Sequence, residues 1–144
     1  MIGAALAIDL GDKTIGLAVS DGLGITAQGL ATLERHGGQR DLEALRAVCQ
    51  EREVARVIVG LPRNMDGSEG PRAQKSRAFA RALRDALELP VFLWDERLTT
   101  AEAERVLIQA DVSRAKRAKV IDKLAAQLIL QGWLEAGGPE VDPA

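Results

Sequence analysis

The sequence predicts an α/β domain. One five-stranded mixed sheet, an antiparallel meander followed by parallel strands, carries helices on both faces. Three observations predict it. Residues 2–33 hold three strand-like runs separated by short turns. From residue 39 onward, helical periods and short apolar runs alternate. And 47% of the 144 residues are apolar, enough for a real core.

The first strand covers about residues 2–10. Ala4, Leu6, Ile8 and Leu10 face one way, and Ala5, Ala7 and Asp9 face the other. Gly11, Asp12 and Lys13 make a short turn. The second strand, residues 14–20, repeats the pattern. Ile15, Leu17 and Val19 share one face, and Gly16, Ala18 and Ser20 share the opposite one. The hairpin thus has a bulky side and a small side. A small side suits close packing of a helix, or room for a ligand.

A third strand covers residues 25–33 and a helix 39–52, with Cys49 on its apolar stripe. The run VARVIVGLP at 54–62 is a short buried strand. The loop RNMDGSEG leads to Pro71, which opens a helix to residue 88 as proline does at a first helical position. PVFLWDE, residues 90–96, is the last strand. Thr99 starts the next helix, with Thr99 and Glu102 at capping-box spacing. A final helix runs from Ser113 or Arg114 to residue 135. Residues 136–144 read as a frayed, flexible tail after a single domain spanning 1–135.

Composition narrows the function. Two Phe, two Trp and no Tyr argue against a stacking platform for bases. With net charge −2, any basic surface must be local. One Cys and one His exclude disulfides, a Cys/His zinc site and the usual His-based catalytic sets. His36 lies in a polar loop. No apolar run approaches roughly 18 residues, and the N-terminal stretch lacks a basic leader region. A cytoplasmic location is the expectation.

Three acidic positions stand out. Asp9 ends the first strand, and Asp95 and Glu96 end the last, where ligands collect in open α/β sheets. Asp122 sits at the edge of the helical stripe Ile121, Leu124, Ala125, Leu128 and Ile129. Two carboxylates about 4 Å apart repel by roughly 4 kcal/mol at an effective dielectric near 20, so a shared proton or a cation must lie between them. With no imidazole or thiolate to help, hard cations such as Mg²⁺ or Mn²⁺ fit. Such ions cleave phosphodiesters.

Basic residues flank these acids. The last helix carries Arg114, Lys116, Arg117, Lys119 and Lys123. The loop after the fourth strand and its helix add Arg63, Asn64, Arg72, Lys75 and Arg77, while Lys13 lies in the first turn and Arg97 follows the acid pair. Such runs are either solvated faces or phosphate contacts. The glycine-containing loop also ends at a helix N-terminus, which can meet a phosphate, although it lacks the G-K-[ST] of a Walker loop.

Four segments in order, AIDLGDKTIGLAVSD, VIVGLPRNMDGSEGPRA, WDERLTTAEAERVL and KVIDKLAAQLILQ, resemble the YqgF (RuvX) family of RNase H-like nucleases over nearly the whole chain. The resemblance implies an RNase H-like five-stranded mixed sheet. It places catalytic acids and metal ligands at Asp9, Glu96 and Asp122, with Asp95 the alternative within the pair because alternation points the two to opposite faces. It implies a Mg²⁺- or Mn²⁺-dependent endonuclease leaving a 3′-hydroxyl and a 5′-phosphate. Lys13, Arg63, Asn64, Arg72, Lys75, Arg97, Arg114, Lys116, Arg117 and Lys119 would hold nucleic acid. Holliday junction resolution in DNA recombination and repair is the leading expectation, and it favours a homodimer because junction cutting needs two symmetric incisions. Processing the 5′ end of pre-16S rRNA in ribosome biogenesis is the alternative. Two readings of other classes are an actin-like ATP-binding module, suggested by DLGDKTIG, and a non-catalytic nucleic-acid adaptor.

Overall fold

Alternation in the first twenty residues becomes two antiparallel strands, β1 (Ala4–Leu10) and β2 (Thr14–Ser20), in the computed structural model, which describes residues 3–144 apart from the side chains of 98–102. β3 (Ala27–Glu34) pairs antiparallel with β2. β4 (Val54–Leu61) and β5 (Val91–Asp95) run parallel to β1, giving the order β3-β2-β1-β4-β5. This is the five-stranded mixed sheet the sequence predicts.

The two faces of the sheet bury different things. Leu6, Ile8, Ile15, Leu17, Val57, Val59 and Leu61 pack beneath α1 (Gly38–Glu51) and α2 (Pro71–Leu87), which contribute Leu45, Cys49, Ala80 and Leu83. Ala5, Ala7 and Ala18 form the small face. Against it lie Ala126, Ile129, Leu130 and Trp133 of α4 (Arg114–Glu135). The remaining helix, α3 (Glu96–Gln109), packs on α4. Burial pushes the Cys49 thiol up to about 11, so this cysteine is packing material and not a nucleophile at neutral pH.

Helix starts follow local chemistry. Ser113 caps α4 through its hydroxyl, which accepts from the Lys116 amide, and Pro71 is the first residue of α2. At α1 no side chain caps from outside. Instead Asp41, nearly fully buried, reaches back to accept from the amides of His36 (2.9 Å) and Gly37 (3.1 Å) and from Arg35 Nε (3.0 Å).

Three boundaries differ from expectation. β5 stops at Asp95 and α3 starts at Glu96, not at Thr99, because Asp95 itself caps the helix by accepting from the Arg97 amide at 3.0 Å. The expected Thr99–Glu102 capping pair lies outside the described side chains. β3 starts at Ala27, not residue 25, because the Asp21 carboxylate takes the Ile25 and Thr26 amides before the ladder begins.

The third difference is the end of the chain. Within residues 136–144, expected to fray, residues 142–144 run antiparallel along the edge strand β5. Leu93 N donates to Asp142 O (3.1 Å) and Ala144 N donates to Val91 O (2.9 Å). Arg77 grips the Asp142 carboxylate at 2.8 and 3.0 Å. The outer edge of β5 offers unpaired backbone groups, and this segment satisfies some of them.

Gly60 shows how closely α4 approaches. A Cβ there would lie 2.6 Å from Ile129 Cδ1 and 2.9 Å from Glu96 Cδ. Gly60→Ala should therefore lower unfolding free energy by about 1–3 kcal/mol in chemical denaturation. An unchanged midpoint would mean that α4 can lift away from the sheet at no cost.

Candidate active site

Asp9 is the penultimate residue of β1 and shares the face of Ala5 and Ala7, beneath α4. Its cross-strand partner is Gly16, where an added Cβ would sit 3.4 Å from Asp9 Cβ and 3.7 Å from Ala126 Cβ. The small side of the hairpin thus does two jobs: it admits α4 and leaves room around a carboxylate. Glu96, the first residue of α3, lies over Gly60. Asp122 is one helical turn before Ala126 on α4 and is exposed. All three border one cavity of about 740 Å³, walled also by Arg63, Arg72 and Arg97.

The charges in this cavity interact. Burial raises the pKa of Glu96 to about 7; the Asp9 charge adds to the rise and Arg72 opposes it. Burial also raises Asp9, with Arg72 again opposing and Asp122 reinforcing. Burial and mutual repulsion both disfavour ionising the two acids together. At neutral pH the pair is poised to exchange a proton for a cation.

Asp95 does something different. Its hydrogen bonds with the Arg97 side chain (2.7 Å to Nη2, 3.1 Å to Nε) hold its carboxyl below the usual range, and Arg63 stands 3.9 Å away. It caps α3 and anchors Arg97. Arg97 in turn donates to Met65 O (3.3 Å), tying the 62–70 loop to the start of α3. Gly67 faces the same guanidinium with φ +90°, a conformation in which L side chains are strained.

The expected phosphate contacts divide into three groups. Arg72 borders the cavity and faces both buried acids. Arg63 and Arg97 border it too but are engaged with carboxylates: Arg97 with Asp95, and Arg63 with Glu69 (3.4 Å), Asp142 (3.7 Å) and Asp95. Arg117 does not border the cavity; it bonds Glu104 (2.9 Å) and Val112 O (2.9 Å) and braces α4 against α3. Asn64 shapes its own loop through Ser68. Lys13, Lys75, Arg114, Lys116 and Lys119 are exposed and do not border the cavity. Two charged lining residues, Glu104 and Arg105, are absent from the sequence-based expectations.

In donor chemistry the three acids suit a hard divalent cation, being carboxylates alone. In spacing, among the described residues no three His, Cys, Asp or Glu side chains are grouped tightly enough to hold an ion as they stand. The expected convergence of three carboxylates is therefore one shared cavity, not a closed ligand cluster.

A family model described as "RuvX: Holliday junction resolvase" matches residues 3–136. A protein of Myxococcus xanthus named "Putative pre-16S rRNA nuclease" is 60% identical over 134 residues, covering 93% of this chain and 89% of its own length. A protein of Thermoanaerobacter pseudethanolicus with the same name is 54% identical, covering 91% and 95%. Among solved structures, T. thermophilus RuvC in complex with a Holliday junction substrate superposes with a TM-score of 0.57 at 16% identity, covering 99% of both chains. The fowlpox virus Holliday junction resolvase gives 0.52 at 15%, covering 92% of this chain and 99% of its own. At such identities these two likenesses establish an RNase H-like resolvase fold.

The raised Glu96 pKa sets a sign for stability. A carboxyl whose folded pKa lies above its unfolded value near 4.5 favours the fold at acid pH and loses that contribution as pH rises through about 7. Metal-free protein should lose up to about 3 kcal/mol from this group between pH 5 and 8. Glu96→Gln should flatten that decline, melting above the parent at pH 8 and close to it at pH 5. Equal slopes in both proteins would show that Glu96 is solvated.

Proposed function

The chain belongs to the RuvX (YqgF) family of nucleases, and from that premise we propose that it hydrolyses phosphodiesters of precursor 16S rRNA at its 5′ end. The observation that carries the chemistry is the cavity shared by Asp9, Glu96 and Asp122 with Arg72 on its wall. What favours RNA is the name carried by relatives at 60% and 54% identity. The family description favours a second reading, Holliday junction resolution, which is also the leading expectation from the sequence. That reading requires two symmetric incisions and hence a two-fold pair of chains.

Asp9, Glu96 and Asp122 would hold Mg²⁺ or Mn²⁺, with Asp122 drawing inward from the exposed face of α4. When bound, such an ion supplies Lewis-acid polarisation of the phosphoryl group and acidifies a water. The residues set the conditions for it. Glu96 must give up its proton, so ion binding should strengthen as pH rises through about 7. Arg72 faces Asp9 and Glu96 and can meet a non-bridging phosphate oxygen. The Asp95–Arg97 pair fixes the first turn of α3 and with it the backbone of Glu96. Exposed Lys13, Lys75, Arg114, Lys116 and Lys119 would attract the flanking phosphates.

The deciding experiment sets purified protein with Mg²⁺ or Mn²⁺ against a 5′-extended 16S rRNA precursor and a synthetic four-way junction. Preferential cleavage of the precursor supports the leading reading, and paired symmetric incision of the junction alone overturns it in favour of the second. Asp9→Asn should reduce cleavage at least about 100-fold while RNA binding persists; unchanged cleavage would remove Asp9 from the site.

Replacing Arg114, Lys116 and Lys119 with Ala should lower the salt slope of RNA binding by about one for each phosphate these side chains neutralise. An identical slope would put the phosphates elsewhere. Arg117→Ala should act on melting temperature, because its partners are Glu104 and a backbone carbonyl.

A further inference from the structure

Asp9 and Asp122 border a second cavity, of about 370 Å³, on the opposite side from Arg72. Its volume is within the range of about 300–1,000 Å³ typical of small-ligand sites. β2, β3 and α4 enclose it. Thr14, Thr32, Lys123 and Gln127 supply its polar groups, and Gly16 and Gly29 its floor. Gln127 is already fixed: its Nε2 donates to Ala27 O (3.2 Å), which leaves its Oε1 above Gly29, where an added Cβ would lie 3.4 Å away.

The sheet is irregular at this spot. Ile15 pairs with Leu33 and Leu17 with Leu30, so Gly16 alone faces both Ala31 and Thr32. The extra residue lets Leu30 and Leu33 both pack toward the core under α1 and α2, while Ala31 and Thr32 line the cavity. Bulges next to active sites re-aim side chains in this way. Gly16 is also the cross-strand partner of Asp9, so the irregularity lies one strand away from the candidate catalytic acid. The Thr14 and Thr32 side chains are exposed, and neither hydroxyl is drawn into a hydrogen bond within the described residues.

A polynucleotide crossing the acids needs room on both sides of them. The larger cavity, with its arginines, accommodates one arm. We propose that the second cavity is a subsite for a single ribonucleotide beside the scissile phosphate, in which Thr14 and Thr32 recognise the 2′-hydroxyl and Lys123 meets a phosphate. This rests on the reading of Asp9, Glu96 and Asp122 as the cleavage site for RNA. A 2′-hydroxyl both donates and accepts, matching two threonine hydroxyls, and it is the group that separates RNA from DNA.

The test uses precursor RNA with a single 2′-deoxy substitution on either side of the cut, with parent protein and with the Thr14→Val, Thr32→Val double variant. Valine keeps the shape and the strand propensity. One of the two substitutions should slow the parent about tenfold, and the ratio should fall to near one in the double variant. No sensitivity in the parent, or a ratio that persists in the variant, overturns the proposal.

A second arm separates this from the function itself. With Mg²⁺ present, adenosine 5′-monophosphate should shift the Gly29 and Thr32 amide resonances and bind more tightly than its 2′-deoxy analogue. The double variant should lose that difference. Absent shifts at these residues overturn the subsite even if RNA is cut. Shifts with the ribose preference, in a protein that cuts no RNA, keep the subsite and overturn the proposed function.

Discussion

The close seating of α4 on the small-residue face of the sheet is the constraint from which the site follows. Ala5, Ala7, Gly16, Ala18 and Gly60 keep that face low over β1, β2 and the end of β4, with Ile58 and Phe92 as its bulkier members. Ile129, Leu130 and Trp133 can then bury completely against it. The same shallowness continues toward the carboxyl ends of β1 and β4, where α4 no longer fills it with large side chains. Asp9, Glu96 and Asp122 border the space left over. Packing and function share one device: glycine and alanine let the helix down at one end and leave a cavity at the other.

Around that cavity the charges are sorted by commitment. Asp95 is spent on capping α3 and on Arg97, and Arg63 and Arg77 are held by Glu69 and Asp142. These groups form an alternating chain of opposite charges from the start of α3 to the segment beside β5. Exposed pairs of this kind add little to stability singly, but a chain of them fixes directions. Asp9 and Glu96 are left without such satisfaction. Each is raised in pKa by burial, with Arg72 as the cation set against both. An arrangement that keeps two buried acids short of counter-charge stores unfavourable electrostatic energy, which a bound cation can release.

Much of this was legible in the chain. Alternation at residues 4–20 gave both the hairpin and its bulky and small faces, because strand side chains alternate with a period of two and size is written in the residue type. Parity within β5 turns Trp94 toward α4 and Asp95 away from it, whereas Glu96 is placed over Gly60 by the start of α3. Hard-oxygen chemistry followed from a sequence with one His and one Cys. The lead given to junction DNA over rRNA had no such footing. Both substrates are cut at the same kind of bond, so the acids carry no information that separates them.

What sequence by itself determined about this protein are the properties that local periodicity and residue chemistry fix: the order of elements, the face each strand residue takes, and the acids that could act. Tertiary structure alone decided the rest. It committed Arg63, Arg97 and Arg117 to carboxylates, laid residues 142–144 along β5, brought Glu104 and Arg105 to the cavity, and put Thr32 beside Gly16 through an irregular strand pairing. The physical reason is range. A side chain's face depends on its immediate neighbours in the chain, whereas its partner depends on segments that meet only after the sheet has closed.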